Sequence, residues 1–411
     1  MDRYWFRTKK QEKLFFKKFS RYKTGLGKDH KIMSITKDHM FIRAISTQKI
    51  VSISRKDIRR AINYTFHVRT IWRKELSQFS NYNSALFGLL SLVFQDISYK
   101  YRSPRGNLRL VLKGIRFFFS GMAKSPSDRK LVINNGATGI CLSFYHLRDI
   151  NPNSWVPDII ASGCKVLLDS GAYSLYKASE KLKNKEEIQK KELEQLSLFL
   201  DADCDKESGS TMIKPITLEE YSEFVITYLK MGVIHHYVNL DVFGDSEQTK
   251  YNQQQLERLV GVRPVPVHHW DSPISDLDDL VQEDHPFIAL GGTVKLHGEE
   301  NKRAFFQRIF SRYPGVCFHW LGGSSKLLFE FPFFSSDSTS HLIPRMMNDG
   351  TIITPNGFNN KREWSSVECI AYNVKVLSAL EESYDGVFQL EIPVSFPKVI
   401  VEPTAQMDFD F

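Results

Sequence analysis

The sequence lacks a long apolar run. Its best stretch, Ala85 to Phe94, is broken by Ser91 and falls well short of the ~20 residues needed to cross a bilayer. No membrane-spanning segment is expected. Residues 1–20 mix Arg and Lys with aromatics and never offer an apolar core followed by a small-residue cleavage site, so no secretion signal is expected and the expected setting is cytoplasmic. Cysteine is scarce: five residues, at 141, 164, 204, 317 and 369, with no Cys-x-x-Cys. That pattern suits a reducing compartment and argues against a structural zinc. Glycine and proline, at 23 and 16 residues, are too few for a disordered or fibrous chain. No G-x-G-x-x-G or Walker-type loop follows any candidate strand, which argues against a dinucleotide or nucleoside-triphosphate enzyme on a doubly wound sheet. The expectation is no cofactor and no metal.

What is present is a globular composition, 42% hydrophobic, 13% aromatic and 25% charged over 411 residues, enough for two or three domains of ~100–200 residues. Charge is divided unevenly. Residues 1–130 hold 30 Lys and Arg against 8 Asp and Glu, or +22, while the remainder carries −14. A basic region of this density attracts a polyanion by releasing its condensed counterions. Nucleic acid is therefore expected at the N-terminal part, where Tyr4, Trp5, Phe6, Phe15, Phe16 and Phe19 interleave with the charge. Three parts are expected: a basic domain over 1–125, a catalytic domain over 126–385 and a tail over 386–411.

In the basic part, Ser54 is placed to cap a helix over Arg55–Phe66 with an apolar stripe at Ile58, Ala61 and Ile62. Arg55, Arg59 and Arg60 fall outside that stripe. Further helices are expected over Ile71–Phe79 and Ser84–Phe94, then a hairpin, Ile97–Leu112, around a Pro/Gly turn. This is the order of a winged helix, a small and mainly helical domain. Its third helix would enter a major groove, and Arg102, Arg105 and Arg109 on the hairpin would meet phosphate.

From Leu131 onward, short apolar runs alternate with amphipathic segments, the pattern of parallel strands joined by crossovers. Expected strands are Leu131–Phe144, Lys165–Asp169, His236–Asp241, Arg263–Trp270, Phe287–Gly291, Val316–Leu321, Phe333–Asp337 and Thr351–Thr354. Helices are expected over Lys185–Leu200, Leu218–Lys230, Glu247–Val260, Asn301–Tyr313 and Trp364–Glu381. Eight strands fit an α/β fold of the TIM-type (β/α)8 barrel. In such a barrel all carboxyl strand ends open on one face, so Asp169, Asp241, His269, Gly291, His319 and Asp337 would converge there. Carboxylates without a metal ligand set suit displacement at an anomeric carbon, one attacking or stabilising the centre and another handling the proton. Gly291 and Gly292 would let backbone amides approach a planar ligand, and Trp270, Tyr173 and Trp320 offer stacking faces.

Six motifs occur in order: Leu168-Asp-Ser-Gly-Ala-Tyr-Ser174, Val238-Asn-Leu-Asp-Val-Phe-Gly-Asp245, Pro264-Val-Pro-Val-His-His-Trp270, Ile288-Ala-Leu-Gly-Gly-Thr293, Phe318-His-Trp-Leu-Gly322 and Ser335-Ser-Asp-Ser-Thr339. Over about Asn134 to Leu342 the chain resembles the tRNA-guanine transglycosylase superfamily, and within it the shorter members of phages and mobile elements that resemble DNA 7-deazaguanine transglycosylases. The resemblance implies a barrel glycosyltransferase that exchanges guanine in a polynucleotide for a free base such as 7-cyano-7-deazaguanine, through a covalent glycosyl-enzyme. It implies Asp337 as nucleophile at C1′, Asp169 as the proton-transfer carboxylate and Asp241 as reader of the base edge. Ser170, Gly171, Asn239, His269, Gly291, Gly292 and His319 are the implied substrate contacts. The tRNA-acting members carry a Cys-x-Cys-x-x-Cys…His zinc site after the nucleophile, and here only Cys369 lies beyond Asp337. That departure favours DNA over tRNA as partner. A zinc-free tRNA enzyme and a non-catalytic, nucleic-acid-binding barrel subunit are the alternatives.

Overall fold

The computed structural model describes residues 2–15, 21–181 and 214–383. The expected helix over Lys185–Leu200, Cys204, Phe16, Phe19 and the tail from 386 lie outside them. Helix α1 (Trp5–Leu14) precedes an antiparallel sheet, β1 (Arg21–Lys23), β2 (Asp29–Ile35), β3 (His39–Ala44) and β4 (Ile50–Ser54), in sequential order. Met40 and Ile42 on β3 and Val51 and Ile53 on β4 are buried at two-residue spacing, the period that turns one sheet face to a core. Ser54 accepts a hydrogen bond from Lys56 N to start α2 (Arg55–Val68), which buries Ile58, Ala61, Ile62 and Phe66.

There follow β5 (Thr70–Trp72), a 3-10 turn over Arg73–Gln78, α3 (Asn83–Val93), β6 (Ser98–Arg102) and β7 (Leu108–Leu112), with sheet order β5-β7-β6. Element order and pairing are those of a winged helix. Two expectations need correction. The domain is not mainly helical: β1–β4 escaped notice because β2 carries an irregular mix of Lys, His and Ser and buries little. The expected helix over Ile71–Phe79 begins instead as a strand, since Thr70–Trp72 pair with Arg109–Val111.

The barrel begins at β8 (Arg116–Phe119). Then come α4 (Pro126–Asn134), β9 (Gly139–Ser143), α5 (Phe144–Leu147), α6 (Val156–Ser162), β10 (Lys165–Asp169), α7 (172–181), α8 (Leu218–Lys230) and β11 (His236–Tyr237). It continues through α9 (Ser246–Val260), β12 (Val267–His269), α10 (Ile274–Glu283), β13 (Ile288–Gly291), α11 (Glu299–Arg312), β14 (Phe318–Trp320), α12 (Leu327–Glu330) and β15 (Ser335–Ser338). These eight strands form one parallel sheet in the order β11-β10-β9-β8-β15-β14-β13-β12. The ends join through a parallel bridge between Val238 and Val265, with Val265 N donating to Tyr237 O at 2.7 Å and Asn239 N to Val265 O at 3.0 Å. The fold is a closed (β/α)8 barrel. Helix α13 (Ile343–Met347), a hairpin of β16 (Thr351–Thr354) and β17 (Gly357–Asn360), and α14 (Ser366–Ala379) complete it.

The strand count of eight thus holds with a different membership. Arg116–Phe119 is the first strand, so the barrel starts before the expected boundary at 125/126. Thr351–Thr354 pairs only with β17, outside the barrel. The expected first strand, Leu131–Phe144, starts inside α4, whose Ser125 cap and Pro126 fix a helix start.

The N-terminal domain closes the barrel's amino mouth. Tyr4 Oη and Arg116 each reach Glu381 Oε1 at 2.8 Å, Arg69 reaches it at 3.2 Å, and Thr138, just before β9, bonds Glu381 Oε2. Burial alone would raise the Glu381 carboxyl; Arg116 and Arg69 outweigh it and hold the group far below the usual range. Asp284, just before β13, receives Ser103 Oγ at 2.9 Å, Asn107 Nδ2 at 2.7 Å and the Arg109 guanidinium at 3.2 Å. Tyr99 Oη donates to Gly315 O, just before β14, at 3.3 Å. Arg116, Thr138, Asp284 and Gly315 lie at or just before the amino ends of strands, opposite the expected site, and Glu381 reaches them from the turn after α14.

Candidate functional site

Strand parity sets the site. Leu167 pairs with Cys141 and Asp169 with Ser143; His269 pairs with Gly291, Ala289 with His319, His319 with Ser335 and Asp337 with Phe118. Residues two apart share a face. Phe118, Cys141, Leu167, Val238, Val267, Ala289 and Cys317 therefore pack the barrel interior, and Asp169, His269, His319 and Asp337 form the layer above them at the carboxyl mouth.

Asp337 is held on both oxygens. Oδ1 takes the Gly322 N–H at 3.0 Å and lies 3.2 Å from His319 Nε2; Oδ2 accepts from Ser120 Oγ at 2.9 Å. His319 is fully buried, with Nδ1 2.8 Å from Ser335 Oγ. With the Ser335 hydroxyl donating to Nδ1, Nε2–H faces the Asp337 carboxylate, a self-consistent tautomer. A carboxylate oxygen has about two lone-pair sites, so Oδ2, with one donor, keeps a free lone pair.

Asp169 ends β10 in a tight turn. Its Oδ2 accepts from Gly171 N at 3.0 Å, Ser170 Oγ accepts from Ala172 N at 3.2 Å, and Gly171 adopts φ +83°. A Cβ on Gly171 would stand 2.3 Å from Tyr145 Cβ, so both conformation and space demand glycine. Burial, then the neighbouring Asp337 and Asp241 carboxylates, push Asp169 up to about 7 against the Gly171 and Ser170 N–H groups. Asp337 and Asp241 thus each lie within electrostatic reach of Asp169.

Asp241, on the loop after β11, has Oδ2 2.8 Å from His269 Nε2. The His269 imidazole lies against Phe243, centroids 4.9 Å apart at 14°. Tyr173 and Tyr176 from α7 contact the same ring at 5.7 and 5.5 Å, and Lys295 Nζ sits 4.2 Å from the Tyr176 centroid. An aromatic rim with two cations, Lys295 and Lys177, the latter 4.8 Å from the Tyr173 centroid, borders the acids.

Other expected residues have different roles. Asn239 turns away onto α9, its Nδ2 donating to Thr249 O at 2.8 Å; it anchors the loop that carries Asp241. The space left by Gly291 is taken by His269, whose Cδ2 would lie 2.8 Å from a Cβ there, and that of Gly292 by Trp270. Trp320 is buried against Phe333 and donates to Thr293 Oγ1 at 2.9 Å, so it is core. Ser120, Gly322, Phe243 and Lys295 were missed. Ser120 follows β8, assigned from sequence to the other domain; the run Arg116-Phe-Phe-Phe-Ser-Gly121 was the available signal.

The nucleic-acid residues are partly corrected. Arg109 is buried on Asp284 and beneath Trp72, 4.2 Å from its ring, so it is not a phosphate contact. Arg55 and Arg59 bind Glu12 at 2.9 and 2.8 Å. Arg60 pairs with Asp57 at the surface, and Arg102 and Arg105 are exposed. Helix α3 buries Leu86, Phe87, Leu89 and Leu90 completely. Exposing four such side chains costs roughly 6–12 kcal/mol, as much as a typical domain's whole stability, so α3 is a core helix and not a groove reader.

No group of three His, Cys, Asp or Glu side chains among the described residues is arranged to hold a metal ion. Cys141, Cys164, Cys317 and Cys369 are free and buried. No helix among the described residues is long and apolar enough to cross a membrane.

These features define a (β/α)8-barrel protein with a carboxylate and histidine cluster at its carboxyl mouth and a winged-helix-like domain on its amino mouth. No family model matches the chain, and no curated protein does. Among solved structures it is similar to the tryptophan synthase alpha chain of Legionella pneumophila subsp. pneumophila, with TM-score 0.38 and 7% identity, covering 67% of this chain and 94% of that one. It is also similar to tryptophan synthase of M. tuberculosis in its aminoacrylate-bound form, with TM-score 0.35 and 7% identity, covering 65% and 94%. Likeness at this level carries no functional argument; the barrel rests on its own strand pairing.

Proposed function

We propose that the carboxyl mouth catalyses exchange of guanine in a polynucleotide, DNA in the first instance, for a free 7-deazaguanine. The observation that carries this reading is the division of labour between two neighbouring acids. Asp337 is fixed by Ser120, Gly322 and His319 with a lone pair free, and Asp169 is tuned to about 7. In the first step Asp337 Oδ2 bonds C1′ as the C1′–N9 bond breaks, and protonated Asp169 gives its proton to the departing guanine. In the second, Asp169 carboxylate takes the N9 proton of the incoming base, N9 bonds C1′, and the ester to Asp337 breaks. Proton and electron pair balance across the cycle. An acid that must both give and take a proton works best with a pKa near the operating pH.

Asp241 accepts from the donor edge of the base, with His269 orienting it, and a carboxylate does this strongly in a partly dry site. Phe243, Tyr173 and Tyr176 supply faces for the extruded nucleotide and Lys295 a cation for its phosphate.

The test is incorporation of labelled guanine and 7-cyano-7-deazaguanine into DNA and, in parallel, tRNA. DNA labelling with a covalent adduct that Asp337→Asn abolishes is the expected result. Labelling of tRNA alone moves the substrate to tRNA; labelling of neither, with no adduct, leaves a non-catalytic barrel.

A further inference from the structure

The barrel grips one face of the wing, and on the other face Leu110 and Leu112 of β7 pack into the N-terminal core. Ser103, Asn107 and Arg109 all bind Asp284 of the barrel. Along β6, Tyr99 and Tyr101 are partly buried while Lys100 and Arg102 are exposed, the alternation that sends these two cations to the other face. There a cleft of about 300 Å³ opens, lined by Gly25, Leu26 and Gly27 of the β1–β2 turn, by Trp72, Arg73 and Lys74, and by Arg102, Gly106, Asn107 and Leu108. Its volume is at the low end for ligand sites.

The lining holds three cationic side chains and no carboxylate. Arg73 spends one donor on Asn83 Oδ1 at 3.2 Å and Arg102 one on Gly106 O at 3.0 Å. A guanidinium has five donors, so most remain. The indole N–H of Trp72, on the cleft wall, is buried without a partner. The turn N–H groups are already used, Gly25 on Ser84 O, Gly27 on Thr24 O and Gly106 on Ser103 O. Recognition here is by side-chain cations, and convergent cations without acids suit phosphate oxygens.

We propose that this cleft, between the clamped wing and the β1–β2 turn, is a phosphate-binding site that seats a nucleic-acid strand on Arg73, Lys74 and Arg102. It lies at the amino end of the barrel, and it stands whether or not the carboxyl mouth performs base exchange. The clamp on Asp284 fixes the wing in advance, which lowers the ordering cost of binding.

The experiment uses the full chain and two probes, a fluorescein-labelled 20-mer oligonucleotide and ADP. The variant is Lys74→Gln with Arg102→Gln, both exposed, with a thermal melt to confirm folding. The control is Lys31→Gln with Lys49→Gln, exposed residues outside the cleft. The expected result is at least tenfold weaker oligonucleotide binding for the cleft variant alone, with a log–log salt slope shallower by about 1.8 for two lost contacts on duplex DNA. Loss of ADP binding with oligonucleotide affinity unchanged assigns the same site to free nucleotides. Equal losses in cleft and control variants, or no loss in either probe, overturn the site.

Discussion

At the scale of single residues, one strand end imposes a cost that function would require. Asp169 is raised from the ordinary 3.8 to about 7 by burial and by two like charges. Its contribution to folding is therefore fully present below pH ~4, is lost as pH rises to ~7, and becomes a constant penalty above. At 1.36 kcal/mol per pKa unit that penalty is about 4 kcal/mol at most, less where solvent reaches the mouth. Asp169→Asn should accordingly raise the melting temperature at pH 8 and leave it nearly unchanged at pH 4, while abolishing exchange; an equal shift at both pH values would refute the assignment. The first half-reaction needs the protonated acid, so adduct formation should fall about tenfold per pH unit above ~7. Asp241→Asn removes one of the charges that raise Asp169, and should move that midpoint to lower pH in single-turnover assays, beside any loss of base affinity.

At the scale of elements, the strand-turn units were the most legible part. Lys165–Asp169 read as a strand from its apolar run, and the Asp-Ser-Gly turn announced its end; the close approach of Tyr145 that forces glycine was not readable, because it comes from α5, after the neighbouring strand β9. Gly171→Ala should destabilise the protein by about 2–4 kcal/mol in urea titrations through its positive φ and a contact far inside van der Waals distance. A loss under about 0.5 kcal/mol would mean that the turn adapts. Two strands were misread for opposite reasons. Arg116–Phe119 falls within the expected basic domain, four residues past the hairpin, and no strand is expected there, whereas Thr351–Thr354 has the strand residues but finds only β17 to pair with. Local pattern shows that a segment can be a strand; pairing partners decide which sheet takes it.

At the scale of the molecule, the joint between domains is the buried cluster around Glu381. Removing the acid leaves Arg69 and Arg116 buried without a counter-charge, so Glu381→Ala should cost about 3–5 kcal/mol and make the Tyr4 to Leu112 region susceptible to limited proteolysis before the barrel. Because the Glu381 carboxyl is depressed, its stabilisation is present above pH ~4.5 and lost as pH falls toward its folded value. Docking should weaken below pH 4 in the wild type, and a Glu381→Gln variant should lose that acid sensitivity. An acid profile unchanged by the substitution would place the weak point elsewhere. The same joint puts the most basic domain on the amino mouth, away from the acids.

By itself the sequence determined the barrel class, the placement of Asp169, His269, His319 and Asp337 at carboxyl strand ends, and the α2, α3 and hairpin sequence of the basic domain, since all three follow from short-range periodicity and strand-end residues. Tertiary structure alone decided which eight strands close the barrel, that Ser120 and Gly322 hold Asp337, that Asn239 and Trp320 serve packing, and that Arg109 and α3 are buried. Each of those depends on contacts between residues far apart in the chain, and periodicity carries no record of which distant partner will be there.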